Sequence, residues 1–316
     1  MRRQPRIWLP RSQLRLKMKK LEDSLHAGEP LRAGLLRIAD GLIQNAADRI
    51  RYPTSDRGGD VHLLRVTIKR LRALLRLIRP VISKRVFARE NTRLRKAAWR
   101  LSLARDSDVA RQTLAMLSVS NDRERAAVAS ALAGFSDNDD SRREISQAAN
   151  EIELDLEQTR MALHQIRITG HEWEAIGPGI EDVYRQCRKR MRDALGQGDD
   201  EAFHKWRIRV KNLYYELQTL QPVWPERLVK MVADLQQLED KIGADHDLVV
   251  LKQSLLGTPD AFGGIKAVEH VVGLVDEKSK QLRRETEPLG EAIFDQTSRR
   301  FVRELSRHWS KWREMK

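Results

Sequence analysis

Apolar residues along this chain recur at spacings of three and four, and no stretch shows sustained strand alternation, so nearly every segment is predicted to be helical. The stretch from Asp60 to Arg79 shows the pattern clearly. At about 100° per residue, Leu64, Ile68, Leu71, Leu74, Leu75 and Ile78 fall on one broad apolar face, which has to be core. Local signals punctuate the rest. Pro30 suits a first helical turn, Pro53 with Gly58-Gly59 marks a break, Asp60 is an N-cap for the helix ending near Pro80, and Ser83 caps the next, which runs to about Leu103. Asp137-Asn138-Asp139-Asp140 interrupts the middle of the chain, and a long polar helix follows to about Ile168. Further breaks are expected at Gly177-Pro178-Gly179, Gly196–Asp200, Pro222–Pro225, Gly243 and Thr258–Gly264.

The pattern also repeats. His62-Leu63-Leu64-Arg65-Val66-Thr67-Ile68-Lys69 reads against His204-Lys205-Trp206-Arg207-Ile208-Arg209-Val210-Lys211, 142 residues later, as H-x-x-R-[VI]-x-[VI]-K. Some forty residues after each comes a second match, Leu103-Ala104-Arg105-Asp106-Ser107-Asp108-Val109 against Ile242-Gly243-Ala244-Asp245-His246-Asp247-Leu248. The expected fold is therefore all-α, with two pseudo-symmetric helical-bundle halves around a basic groove. The division is a basic N-terminal segment at 1–29, a first half at 30–136, and a second half with linking and C-terminal helices at 137–316.

On the polar side of the Asp60–Arg79 helix, His62, Arg65, Lys69, Arg72 and Arg76 share roughly an 80° arc. Like charges at such spacings cost an isolated helix a few tenths of a kcal/mol per pair, so folding alone does not select them. The stripe extends roughly 21 Å, which fits a chain of charges better than one phosphate. The next helix carries Arg89, Arg93, Lys96 and Arg100, with Arg105 just beyond, and could form the other wall of the groove. The later helix keeps His204, Arg207 and Lys211 but has Tyr214 and Gln218 where the first has Arg72 and Arg76, so a lopsided site is expected.

Other residues admit plainer roles. His62 and His204 either donate to a phosphate oxygen or are structural. Neither has a second ligand three or four residues away on its face, so no metal site is expected. Asp106, Asp108, Asp245 and Asp247 are expected to cap the helices that follow, with a secondary role in orienting Arg or His. Trp206 projects onto an apolar face and Trp99 neighbours core positions, so both are assigned to packing, which counts against base stacking.

Composition narrows the class. At 316 residues the chain can bury one or two cores without disulfides or metal, and with 33% charged and 41% hydrophobic residues it fits neither membrane nor disordered classes. Cys187, the single cysteine, suits a reducing compartment, and no apolar run reaches transmembrane length. A cytoplasmic, membrane-free protein is expected. The net charge of +14 is concentrated: residues 1–20 hold eight Lys/Arg and no acid, while residues 61–105 hold fourteen against Glu90 alone. That clustering is the footprint of a polyanionic partner.

The quoted motifs resemble those of the CHAD family, the conserved histidine α-helical domain. The resemblance rests on Val61–Val66 with Lys69-Arg70-Leu71-Arg72, on Ala104–Val109, and on Phe203–Lys211 running on to Tyr215-Glu216, and it spans about residues 30–300. It implies a helical module that binds inorganic polyphosphate, with basic side chains of two bundle-like halves lining a shared groove. It also implies that His62, Arg65, Lys69, Arg72, His204, Arg207 and Lys211 take the binding role. Asn212 and Tyr214 depart from the family's usual basic residues, which bears on the strength of the second half-site.

Inorganic polyphosphate is thus the expected partner, free in the cytoplasm or in polyphosphate granules, with no cofactor and no catalysis. Nucleic acid is the first alternative, since its backbone attracts the same cations without regard to sequence. A polyphosphate or triphosphate hydrolase is the second; it would need carboxylates holding divalent metal, and the stripes carry almost none. The E-x-E-x-K strand motif of the triphosphatase fused to some family members is absent, since Glu151-Ile152-Glu153 runs on to Leu154-Asp155.

Overall fold

In the computed structural model the described residues are 23–101, 106–135, 139–168 and 171–315, with the backbone alone described at 57, 106–108 and 139–147. They form eleven α-helices and three short 3-10 turns, with no strand among the described residues. The helices are α1 (Leu31–Arg51), α2 (Arg57–Leu77), α3 (Lys84–Arg100), α4 (Asp106–Ala115), α5 (Asp122–Ala133) and α6 (Asp139–Gln165). They continue with α7 (Glu172–Gln197), α8 (Asp200–Leu220), α9 (Pro225–Gly257), α10 (Ile265–Ile293) and α11 (Ser298–Glu314).

Local chemistry sets most boundaries. Ser83 accepts from the Val86 amide at 3.2 Å and starts α3, as its position implied. Asp199 accepts from Ala202 at 2.7 Å and starts α8, directly after Gly198 closes α7 in a left-handed conformation at φ 71°. The cap of α2 is Asp56, which accepts from Gly59 at 2.9 Å, rather than Asp60. Asp60 lies inside the first turn, where its carboxylate accepts from the Thr54 amide at 2.7 Å and faces Arg49 at 3.3 Å. It thus anchors the preceding loop instead of opening the helix.

Two expected breaks are continuous helix. Gly177-Pro178-Gly179 lies within α7, where a Cβ on Gly179 would stand 3.1 Å from the Arg76 carbonyl oxygen. The glycine lets α7 approach the end of α2, so it serves packing. Gly243 lies within α9, with the Arg207 guanidinium and Glu239 carboxylate against the place of its missing Cβ. Asp245, expected as a cap, is buried inside α9 and accepts from Ser279 and from Arg283 Nε at 3.0 Å, which ties α9 to α10.

The first core gathers side chains of α1, α2, α3, α6, α7, α8, the front of α9, and α11. Every residue of the predicted α2 apolar face is buried in it, and Trp206 is fully buried there. A second cluster joins α4, α5, the rear of α9 and α10 through residues such as Leu114, Val128, Leu251 and Val271. These clusters do not coincide with the division at 136/137, because α4 and α5 pack on late helices. Trp99 belongs to neither: it is 63% exposed, because the buried side of α3 runs through Glu90, Leu94 and Ala97. The site is positioned by a row of four helices, in which α3 packs on α2, α2 on α8, and α8 on α9. Both α2 and α8 have 21 residues and lead through a proline-containing 3-10 turn into α3 and α9 respectively.

Candidate functional site

The seam between α2 and α8 brings the paired motifs together. Lys69 of α2 lies in electrostatic reach of Arg65 on its own helix and of Arg207 and Lys211 of α8, and Arg65 Nη1 donates to the Leu101 carbonyl oxygen at 3.1 Å. Each helix buries its apolar face on the opposite side, so the polar stripes are left to meet along the seam. The acids in this group are Glu239 of α9, 2.7 Å from Lys211 Nζ and 3.7 Å from Arg207 Nε, and Asp247 of α9, which also draws on Lys211. Arg207 Nε is buried and has no hydrogen-bond partner.

Charge is crowded here, and the titration behaviour reflects it. Burial pushes the Lys69 ammonium down to about 7, Lys211, Arg65 and Arg207 push it the same way, and Glu239 opposes them. Charging Lys69 therefore costs on the order of 5 kcal/mol more than in water. Lys211 is also depressed by burial and by Arg207, against the pull of Glu239. His204 is lowered by burial and by Arg207 and Lys211. Its ring lies 4.8 Å from that of His246, which burial and then Arg207 hold down at about 4. Both imidazoles are thus neutral at pH 7, able to donate one hydrogen bond and accept another. His62 is exposed at the N-terminal end of the α2 stripe.

Farther along α2, Arg72 Nε donates to Asn91 Oδ1 of α3 at 3.0 Å, and its guanidinium is lowered to about 10 by burial, then by Arg76 and Arg95. Arg76 has a different occupation. Its Nε meets Glu216 Oε1 of α8 at 2.8 Å, and Glu216 is fully buried. The pair ties α2 to α8 beneath the cationic seam. Sequence reasoning counted Arg76 as ligand-binding; the missed signal was Glu216, an acid at a core phase of α8 that demanded a buried partner.

The α3 stripe does not join this cluster. Arg89 Nε and Arg93 both bond the fully buried Glu90, the former at 2.6 Å, and Arg93 lies 3.9 Å from Asp155 of α6. Arg100 meets Glu151 at 2.6 Å and Asp155 at 2.8 Å. Arg93 and Arg100 thus fasten α3 to α6, which takes them from the expected second wall, whereas Arg89 pairs with Glu90 of its own helix and, like Lys96, is exposed. The α3 residues that face Arg72 are Asn91 and Arg95, neither of them singled out from the sequence. Arg105 and the segment 1–22 lie outside the described residues, as do the Asp106 and Asp108 side chains. Among the described residues no group of three His, Cys, Asp or Glu side chains could hold a metal ion. No helix of the described residues is long and apolar enough to cross a membrane.

Fold and site together define an all-helical protein with a partly buried cationic seam between two motif-bearing helices. The family model for the CHAD domain matches residues 13–256, most of the chain, and the protein belongs to that family. Among solved structures, that of the CHAD domain from the plant Ricinus communis is similar, with a TM-score of 0.61 and 18% identity, covering 86% of this chain and 94% of that one. At that identity the likeness speaks to the fold alone. Comparison with curated proteins gives no match.

Proposed function

We propose that the protein binds inorganic polyphosphate, or a similar linear polyanion, along the α2–α8 seam, and that it does so without catalysis, in the cytoplasm. The observation that carries this reading is the convergence of Arg65, Lys69, Arg207 and Lys211 from two helices around Glu239, at a cost to the charge on Lys69. An anion lowers that cost, and neutral His204 and His246 add donors at the same place. Membership of the CHAD family supports the same ligand. The test is titration with long-chain polyphosphate over a range of salt. Affinity should be high at low salt and fall steeply as salt rises, because several counterions are released together, and orthophosphate should compete poorly. Salt-independent binding, or displacement by orthophosphate at comparable concentration, would overturn the reading. DNA added in competition separates the two polyanions, and preferential retention of DNA would transfer the site to nucleic acid. Sustained phosphate release in the presence of Mg²⁺ would end the non-catalytic part of the proposal.

A further inference from the structure

Trp99 is the one exposed tryptophan among the described residues, 63% open to solvent. Two bonds fix where it stands. Arg72 Nε donates to Asn91 Oδ1 at 3.0 Å and Arg65 Nη1 donates to the Leu101 carbonyl oxygen at 3.1 Å, so α2 and α3 run antiparallel with Trp99 toward the Arg65 end. Along α3, Asn91, Arg95 and Trp99 follow one another at intervals of four and share roughly an 80° arc, with Arg95 exposed one turn before the indole. Arg95 in turn lies in electrostatic reach of Arg72. The buried side of α3 runs through Glu90, Leu94 and Ala97, so its packing does not use this ring. The indole offers a flat π-face beside cations, the combination that a base joined to phosphate requires.

We propose that the α2–α3 edge of the seam is a nucleotide subsite, in which a purine base stacks on Trp99 and the attached phosphate chain runs along Arg95 and Arg72. The proposal rests on the polyphosphate reading of the seam and extends it to a ligand class that carries a base. The dimensions agree. Arg95 lies about 6 Å from Trp99 along the α3 axis, and Asn91, which holds Arg72, about 12 Å, a span that the ribose and linked phosphates of a nucleoside triphosphate cover. The bond to Asn91 engages Nε of Arg72 and so orients the fork of its terminal nitrogens. One platform suits one base. A nucleic-acid strand stacks successive bases on several aromatic side chains, whereas α3 presents a single exposed ring among the described residues, which favours a mononucleotide over a strand. Discrimination between a nucleotide and a bare phosphate chain then comes from the indole.

The test uses the full chain, titrated at fixed salt without divalent metal against adenosine triphosphate, inorganic tripolyphosphate and long-chain polyphosphate. Adenosine triphosphate should bind about fivefold tighter than tripolyphosphate although it carries less negative charge, because stacking adds to the phosphate contacts. Trp99→Ala should weaken adenosine triphosphate about tenfold and either inorganic chain less than about twofold, while Trp99→Phe keeps most of the affinity. The nucleotide should also quench tryptophan emission in the parent and not in Trp99→Phe. Circular dichroism checks that each variant is folded. Equal losses for all three ligands would give Trp99 a structural role, and no loss for adenosine triphosphate would give it none; either result overturns the proposal. Tighter, Trp99-dependent binding of a single-stranded oligonucleotide would overturn the mononucleotide assignment. Long-chain polyphosphate that binds while adenosine triphosphate ignores Trp99→Ala defeats this inference alone, whereas failure of all three ligands takes the polyphosphate reading with it.

Discussion

On α2, Lys69 and Arg72 are partly buried among cations contributed by α8 and α3, and burial first, then those cations, lowers the basicity of both. On α3, Arg93 and Arg100 enter a seam where Glu90, Glu151 and Asp155 receive them. The two stripes have the same residue types at nearly the same helical spacings. The acids of α6 that neutralise the second lie more than fifty residues downstream, beyond any pattern α3 itself contains. A row of helical cations therefore says little until the facing helix is known. Where acids face it, it is a clasp between helices. Where more cations face it, the folded state carries a repulsion that a ligand can relieve.

The largest expected effect sharpens this contrast from beneath the seam. Arg76→Ala leaves Glu216 buried without its partner and should lower stability by about 3 to 5 kcal/mol. Burial raises the Glu216 carboxyl to about 7, with Arg76 opposing the rise. A folded value above the unfolded one means that its stabilising contribution is complete below the unfolded pKa, and is lost as pH climbs through the folded one. Without Arg76 the folded value rises further, so the variant should be impaired more at pH 8 than at pH 5. Denaturant melts at both pH values check this; an equal loss at each would contradict it.

The α3 clasp should likewise show its loss in stability and not in binding. Arg93→Ala with Arg100→Ala should cost about 2 to 4 kcal/mol of stability, mostly because the buried Glu90 loses one of its two arginines while the Arg100 pairs are partly solvated, and should leave polyphosphate affinity within about twofold. A large loss of affinity in a fully folded double variant would return α3 to the binding surface.

The smallest effect is the dependence on pH. Lys69 titrates near 7 in the free protein, and a bound polyanion must raise that value. Binding then takes up a proton, so affinity is greatest below about pH 7 and declines as pH rises toward the bound value, by about fivefold between pH 7 and 8. Lys69→Arg should flatten the profile, because arginine stays charged throughout. Titrations across pH 6.5 to 8.5 on both proteins decide it, and an identical slope would exclude Lys69 as the group responsible.

Helical class, the α2 core face, the Ser83 cap and the burial of Trp206 were legible in the sequence, because periodicity and capping are local properties. Asp60, Asp245 and Gly243 were read as punctuation, yet each answers to a residue of another helix: Arg49, Arg283 and Arg207 respectively. Trp99 was misplaced because α3 buries Glu90, so its inward face is not its most apolar one. Of the site, the repeated H-x-x-R-x-x-x-K motif identified the residues that converge. Glu239, His246 and Arg95 were not read as part of it, since their roles exist only once α9 and α3 pack beside α8 and α2.

The most direct test of the central claim is a side-by-side titration of one polyphosphate length at fixed salt against two triple variants, with circular dichroism confirming that each is folded. One replaces Arg65, Lys69 and Arg72 with alanine; the other replaces Arg93, Lys96 and Arg100. Screened charge-assisted contacts of about 1 kcal/mol each predict roughly a hundredfold loss from the first, and less than about threefold from the second. Equal losses, or the larger loss from the α3 triple, would contradict the assignment of the binding surface to the α2–α8 seam.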